Sequence, residues 1–251
     1  DGSTFDCDYS KPTWVDYGKD NYAGVSWNNG PKDDNRRIFL GWLNNWQYAN
    51  DIPTENWRGS ATLPRELSLI KRGHTYLIKS KIVDEYSVLK NEPLKIPSMI
   101  LEGKQKIKKE LELPLEIDLD FDTSNNSSME FSKNFGVKLS NDLGEQVMIG
   151  YDNYNKVFYI DNTKNGWDNP ANDFAQVNYA PYVVNENKTS FKLIIDTSSL
   201  EFFAVDGLVS MTNQFFPSKP FTEIELYSER GKIEMISGKI VPLNSIWEKI
   251  D

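Results

Sequence analysis

Short apolar or alternating stretches recur along the chain between clusters of turn-forming residues, a pattern typical of antiparallel β-sheets. Residues 21–27 and 37–42 are one such pair of stretches, and a loop rich in Asn, Gly, Pro and Asp separates them. These loop residues favour tight reversals, so the pattern predicts a hairpin. The hairpin would place Tyr22 and Trp42 on neighbouring strands.

Further strands are predicted in the second half of the chain. Residues 146–151 and 157–160 flank a polar turn and predict another hairpin. Residues 200–205 are apolar on both faces except at Glu201, which suits a strand covered on both sides. Helix signals are few, and residues 82–89 form the one short candidate, ended by the Asn-Glu-Pro that follows. The pattern therefore predicts an all-β protein.

A change of composition along the chain predicts two units. Five of the seven tryptophans lie within the first 66 residues. We place the first unit at residues 1–68 and the second at 69–251, where a linker with the short helix precedes the remaining strands. The Lys-rich residues 104–109 are assigned to this connecting region as a solvated face. A piece as small as the first unit buries little surface, so it is expected to belong to something larger.

Charge and composition exclude several classes of function. The net charge of −9 repels a phosphate backbone, which argues against nucleic-acid binding. No apolar run approaches the roughly 18 residues that a membrane span needs. One cysteine and one histidine cannot form an internal disulfide and leave too few soft ligands for a zinc or iron site. Neither a metal nor an organic cofactor is expected.

Three tryptophan motifs follow one another in the first unit. They are W-V-D-Y-G-K-D-N-Y-A at 14–23, G-W-L-N-N-W-Q-Y-A at 41–49 and W-R-G-S-A-T-L-P-R-E-L at 57–67. Their order and spacing resemble the last propeller blade of glycoside hydrolase family 32, which includes invertases, exo-inulinases and levanases. The segment I-D-T-S-S-L-E-F-F-A-V-D-G at 195–207 resembles a strand pair of that family's carboxy-terminal sandwich. The resemblance implies the last blade of a five-bladed β-propeller followed by a two-sheet antiparallel β-sandwich.

The resemblance also implies an activity, the retaining hydrolysis of β-fructosidic bonds in fructans or sucrose. The family's Asn-Asp-Pro-Asn, Arg-Asp-Pro and Glu-Cys catalytic motifs are absent from this sequence. No catalytic residue is therefore assigned, and Asp16 and Asp20 are interpreted as structural. We expect these residues alone to be inactive, with upstream propeller blades as partners, a possible homodimer, and a parent enzyme that is secreted or periplasmic.

The candidate substrate-binding residues are aromatic. By resemblance, Trp46 and Tyr22, and then Trp42, help to wall the pocket for a terminal fructose; the alternative is that the tryptophans are core between blades. Arg58 and Arg65, with Glu66, are expected to pair at the propeller–sandwich junction rather than bind substrate, because buried charges require partners.

Two further interpretations remain open. The chain could be a non-catalytic carbohydrate-binding module that holds a glycan on Tyr179, Tyr182 or Trp167. The alternating carboxylates at residues 118–122 would form a solvated acidic face or, less readily, a calcium site.

Overall fold

The computed structural model describes residues 3, 13–168 and 173–246, in which sixteen strands form two antiparallel sheets. The single cysteine, Cys7, lies outside the described residues. The strands are β1 Tyr22–Ser26, β2 Arg37–Leu43, β3 Ser60–Ala61, β4 Arg65–Arg72, β5 Thr75–Ile82, β6 Leu94–Ile96, β7 Met99–Lys109, β8 Leu115–Asp122, β9 Asn134–Ser140, β10 Gln146–Asp152, β11 Val157–Lys164, β12 Val177–Pro181, β13 Lys188–Ile195, β14 Ser199–Ala204, β15 Val209–Gln214 and β16 Glu223–Pro242. The same described residues also contain two 3-10 helices, at Asp84–Leu89 and Val205–Gly207.

The first sheet has the strand order β1-β2-β4-β5, with β3 paired to β2. The predicted hairpin is confirmed as β1 and β2, and Tyr22 lies directly opposite Trp42 in their register. The predicted boundary after residue 68 falls inside β4, because the sheet continues through the β4–β5 hairpin to Ile82. The β4 sequence mixes apolar and charged residues without regular alternation and is exposed beyond Leu67, so it gave no strand signal.

The second sheet folds over on itself into two layers that share β16. The first part of β16 pairs with β9 and β7, and its last part pairs with β8 and β6. Between them the register shifts around residues 228–232, where Gly231 has a φ of 141°. Such an irregularity bends a strand and lets it pass from one layer to the next. The result is the predicted two-layer antiparallel sandwich.

Aromatic side chains from both layers fill the sandwich core. Phe135 on β9 contacts Phe121 on β8 with 5.0 Å between ring centroids, and Phe158 on β11 lies 6.0 Å from Phe202 on β14. All four rings are fully buried. Burial of side chains of this size is the main favourable contribution to folding of such a domain.

The region after the first sheet differs in part from its prediction. A short helix is confirmed as the 3-10 turn Asp84–Leu89, which buries Tyr86. The assignment of residues 104–109 to a connector is wrong, because they belong to the long strand β7. The lysines face carboxylates on β16, with Lys106 donating to Glu223 at 3.0 Å. None of the helices in the described part of the chain is long and apolar enough to span a membrane.

Candidate substrate-binding site

Three aromatic side chains lie together at one end of the first sheet. The ring centroids of Tyr22 and Trp42 are 6.4 Å apart in an edge-on arrangement, and those of Trp42 and Trp46 are 5.1 Å apart. Tyr22 and Trp46 are 51% and 64% exposed. The structure therefore brings all three predicted binding residues into one cluster, the aromatic wall, which presents ring surface to solvent. Their role in binding stays a prediction.

The turn that follows β2 fixes the position of Trp46 relative to Trp42. The side-chain oxygen of Asn44 accepts from the Asn45 amide at 2.7 Å, and that of Asn45 accepts from the Gln47 amide at 2.9 Å. Asn side chains that accept from the backbone in this way replace strand pairing with a tight turn. The Trp42 indole donates to the Arg58 carbonyl at 3.2 Å.

The loop that carries Trp46 is anchored on the sandwich. Tyr48 is buried and packs edge-on against Phe174, with 4.8 Å between centroids. Trp167 and Phe216 surround Phe174 from the sandwich side, at 4.6 and 5.6 Å. Neither Tyr48 nor Phe174 was singled out from the sequence. Their contact joins distant segments, so the only signal was the apolar Tyr-Ala pair that follows Trp46.

Asp20 links this loop to β15. Its carboxylate accepts a short hydrogen bond from the Tyr48 hydroxyl and another from the Gln214 amide at 2.7 Å. Burial raises the pKa of Asp20 to about 6, although both hydrogen bonds and the nearby Lys19 oppose the rise. The carboxylate is thus held inside the molecule as a structural acceptor.

Arg65 forms the centre of the junction between the two sheets. It is fully buried and pairs with Asp16 at 2.7 Å and with Glu201 on β14. Asp16 also accepts from the amide and hydroxyl of Thr212, at 2.8 and 2.7 Å. Burial would raise the pKa of Asp16, but the charge and hydrogen bond of Arg65 hold it below the ordinary value. Burial raises the pKa of Glu201 despite the same arginine.

The junction pairing therefore differs from the predicted one. Arg65 does lie at the junction, but Glu66 is not its partner, since neighbouring strand residues point to opposite faces. Arg58 does not reach the junction pair; it donates to the Thr54 and Trp57 carbonyls of its own loop.

The other candidate residues are scattered. Tyr179 on β12 is exposed, whereas Tyr182 is half-buried and donates to Glu186 at 3.0 Å. Trp167 is half-buried in the cluster around Phe174. The carboxylates of β8 face lysines: Asp118 pairs with Lys192 and Lys239, and Asp120 pairs with Lys188. Within the described residues, no group of three or more His, Cys, Asp or Glu side chains is placed to hold a metal ion.

The fold and the aromatic wall together define a β-propeller blade joined to a β-sandwich. The family model for the glycosyl hydrolases family 32 N-terminal domain matches residues 1–80, and the model for the C terminal of the same family matches residues 89–242. The chain belongs to glycosyl hydrolase family 32.

Curated relatives and solved structures agree with this assignment. The chain is 32% identical to a levanase of Bacillus subtilis, covering 95% of this chain and 35% of the relative, and 30% identical to an extracellular exo-inulinase of Aspergillus niger, covering 98% and 47%. The crystal structure of an exo-inulinase from Aspergillus awamori superimposes with a TM-score of 0.83 at 27% identity, covering 98% of this chain and 49% of that one. The chain thus spans about a third to a half of the length of these relatives. The predicted family and fold class are confirmed.

Proposed function

We propose that these residues supply the aromatic wall of a fructosyl pocket in a protein that hydrolyses β-fructosidic bonds of fructans or sucrose. The observation that carries the proposal is the solvent-exposed cluster of Tyr22, Trp42 and Trp46. The printed names of the relatives, levanase and exo-inulinase, support the substrate class.

The cluster suits a sugar ring for chemical reasons. A sugar presents apolar C–H faces that pack on an indole, while its hydroxyls require polar partners at the ring edge. Trp46 has the most exposed ring of the three, and the ring of Trp42 packs against it. We assign Trp46 to contact with the terminal fructose and Tyr22 to the neighbouring edge of the pocket.

The hydrolytic step needs groups that these residues do not offer. A retaining glycosidase uses two carboxyl groups about 5 to 5.5 Å apart, one as nucleophile and one as acid. Asp16 and Asp20 are buried and occupied by structural donors. We therefore assign both catalytic roles to further propeller blades of the whole protein, and none to this chain.

The test compares the whole protein with the 251-residue chain on inulin, levan and sucrose. The proposal expects fructose release with retained anomeric configuration from the whole protein and none from the chain alone. Fructose release by the isolated chain, or no release from any of the three substrates by the whole protein, would contradict it. Retention of the chain on fructan in affinity electrophoresis that is lost in Tyr179→Ala would instead support a carbohydrate-binding module.

A further inference from the structure

The turn that carries Trp46 is attached on both sides to one other segment of the chain. Before Trp46, the side-chain amide of Asn45 donates to the Lys19 carbonyl at 2.9 Å. After Trp46, the Tyr48 hydroxyl donates to the Asp20 carboxylate. Lys19 and Asp20 are neighbours in the segment that precedes β1, so both hydrogen bonds fix the turn to the same place.

That segment is in turn held by the sandwich. The Asp20 amide donates to the Thr212 carbonyl at 3.0 Å, and the Asp20 carboxylate accepts from the Gln214 amide at 2.7 Å. The Lys19 ammonium group donates to the Asp173 carbonyl at 2.6 Å. The segment is thus bonded to β15 and to the loop that precedes β12.

Tyr48 lies at the centre of these contacts. Its side chain is buried, its hydroxyl bonds to Asp20, and its ring packs edge-on against Phe174 and lies 5.5 Å from the Lys19 ammonium group. Trp46 is instead 64% exposed. An exposed side chain in a turn is held in one direction chiefly by the residues that lock the turn beneath it.

We propose that Tyr48 is a positioning residue for the substrate, because its hydrogen bond to Asp20 sets the direction of the Trp46 ring and thereby the affinity for a terminal fructosyl unit. The inference rests on the proposed function, which assigns Trp46 to the fructose contact. Tyr48 and Phe174 are buried and act through Trp46. The sandwich thus contributes to substrate affinity from outside the pocket.

One test measures the arrangement of two indoles in the 251-residue chain. The rings of Trp42 and Trp46 are 5.1 Å apart and inclined at 58°. Indoles this close couple their electronic transitions and give paired bands of opposite sign in far-ultraviolet circular dichroism. Trp46→Ala identifies these bands by removing them. We expect Tyr48→Phe, which keeps the ring and removes the hydroxyl, to reduce their amplitude.

Tyr227→Phe is the matched control. Tyr227 on β16 is as deeply buried as Tyr48, and its hydroxyl lies 2.6 Å from that of Tyr159 and donates to the Ile149 carbonyl at 3.2 Å. The variant therefore also removes a buried, hydrogen-bonded tyrosine hydroxyl, but within the sandwich. It should leave the paired bands unchanged, so an effect confined to Tyr48→Phe does not come from lower stability alone.

A second test measures fructose release by the whole protein. A wall that binds the terminal unit equally in the substrate and in the transition state affects KM and leaves kcat unchanged. We expect Tyr48→Phe to raise KM about fivefold and Tyr227→Phe to leave it unchanged. In a protein that already carries Trp46→Ala, Tyr48→Phe should raise KM no further, because its effect passes through Trp46.

The two tests separate this inference from the proposed function. Unchanged paired bands or an unchanged KM in Tyr48→Phe, an equal rise of KM in Tyr227→Phe, or an equal further rise in the Trp46→Ala background would overturn the inference and leave the proposed function standing. An unchanged KM in Trp46→Ala would instead contradict the fructosyl pocket and the claim on affinity with it. The circular dichroism would then still show whether Tyr48 fixes Trp46.

Discussion

The largest aromatic clusters of the two sheets differ in their exposure to solvent. The sandwich buries Phe121, Phe135 and Phe158 completely, whereas the first sheet and its loops leave Tyr22 and Trp46 more than half exposed. Other large apolar side chains of the first sheet and its flanking segments are exposed as well, namely Trp14, Val25, Trp27, Trp57 and Leu69. Monomeric domains rarely leave so much apolar surface uncovered without a use for it.

The sandwich therefore supplies a stable buried core, whereas the first sheet presents exposed aromatic surface. The sandwich has a closed core of its own, while the first sheet depends on buried contacts at the junction, above all those of Arg65 and Tyr48. The sandwich therefore acts as the support that fixes the aromatic wall. Substitutions in each part should therefore differ in their effect on stability.

Removal of the junction arginine should have the largest effect. Arg65→Ala leaves the carboxylates of Asp16 and Glu201 buried without their cation, and uncompensated buried charges typically cost about 3 to 5 kcal/mol. We expect urea unfolding to show a loss of that size. Arg36→Ala, which breaks exposed pairs with Asp34 and Glu85, is the control and should change stability little. Similar losses in both variants would refute the central role of the junction.

Truncation of Phe174, which anchors the loop that carries Trp46, should have the second largest effect on stability. Phe174→Ala opens a cavity beneath Tyr48 and Trp167 and should cost about 3 kcal/mol. The tryptophan fluorescence of the folded variant should also change, since the loop that carries Trp46 loses its support. Tyr179→Ala removes an exposed aromatic ring of the sandwich and should stay within about 0.5 kcal/mol of the unmodified chain. An unchanged unfolding midpoint for Phe174→Ala would show that the loop is held by other contacts.

Asp20 should give the junction a pH dependence. Its folded pKa of about 6 lies above the ordinary value of 3.8, so the folded state binds the proton more tightly than the unfolded state. The stability that Asp20 contributes is therefore present below about pH 4 and is lost as the pH rises through about 6. The free energy of unfolding of Asp20→Asn, relative to the unmodified chain, should rise by up to about 3 kcal/mol across this window. Urea titrations at several pH values would measure it, and a difference independent of pH would contradict the assignment.

The smallest effect is expected where the first sheet is exposed. Leu69→Ala on β4 should change the stability of the 251-residue chain by less than about 0.5 kcal/mol, since the side chain is 67% exposed. A matched substitution in the sandwich, Leu139→Ala, removes a fully buried side chain and should cost about 2 to 5 kcal/mol. Thermal unfolding of the pair measures the contrast directly, and equal losses would contradict it.

Local signals in the sequence predicted much of the fold. Turn residues located the β1–β2 and β10–β11 hairpins, because such loops determine their own conformation. Strand β7 was missed because its lysines are exposed on an edge strand and pair with carboxylates far along the chain. Nothing within residues 104–109 shows that Glu223 will lie opposite them.

Some residues of the candidate site could likewise be predicted from the sequence, and others could not. The hairpin pattern predicted that Tyr22 and Trp42 lie on neighbouring strands, and the family resemblance added Trp46 to them. The residues that hold this wall, Tyr48 and Phe174, are 126 positions apart in the sequence and meet only in the folded chain. For the same reason the partners of Arg65 were not predictable from its neighbours.

Two exposed tryptophans of one loop, Trp46 and Trp57, allow a matched comparison of activity in the whole protein. Trp46 contacts Trp42 in the aromatic wall, whereas Trp57 is 41% exposed and lies against Phe216. We predict that Trp46→Ala lowers kcat/KM for fructose release from inulin or levan about tenfold, and that Trp57→Ala leaves it unchanged. Equal kcat/KM values for Trp46→Ala and the unmodified protein would contradict the assignment of the aromatic wall to the fructosyl pocket.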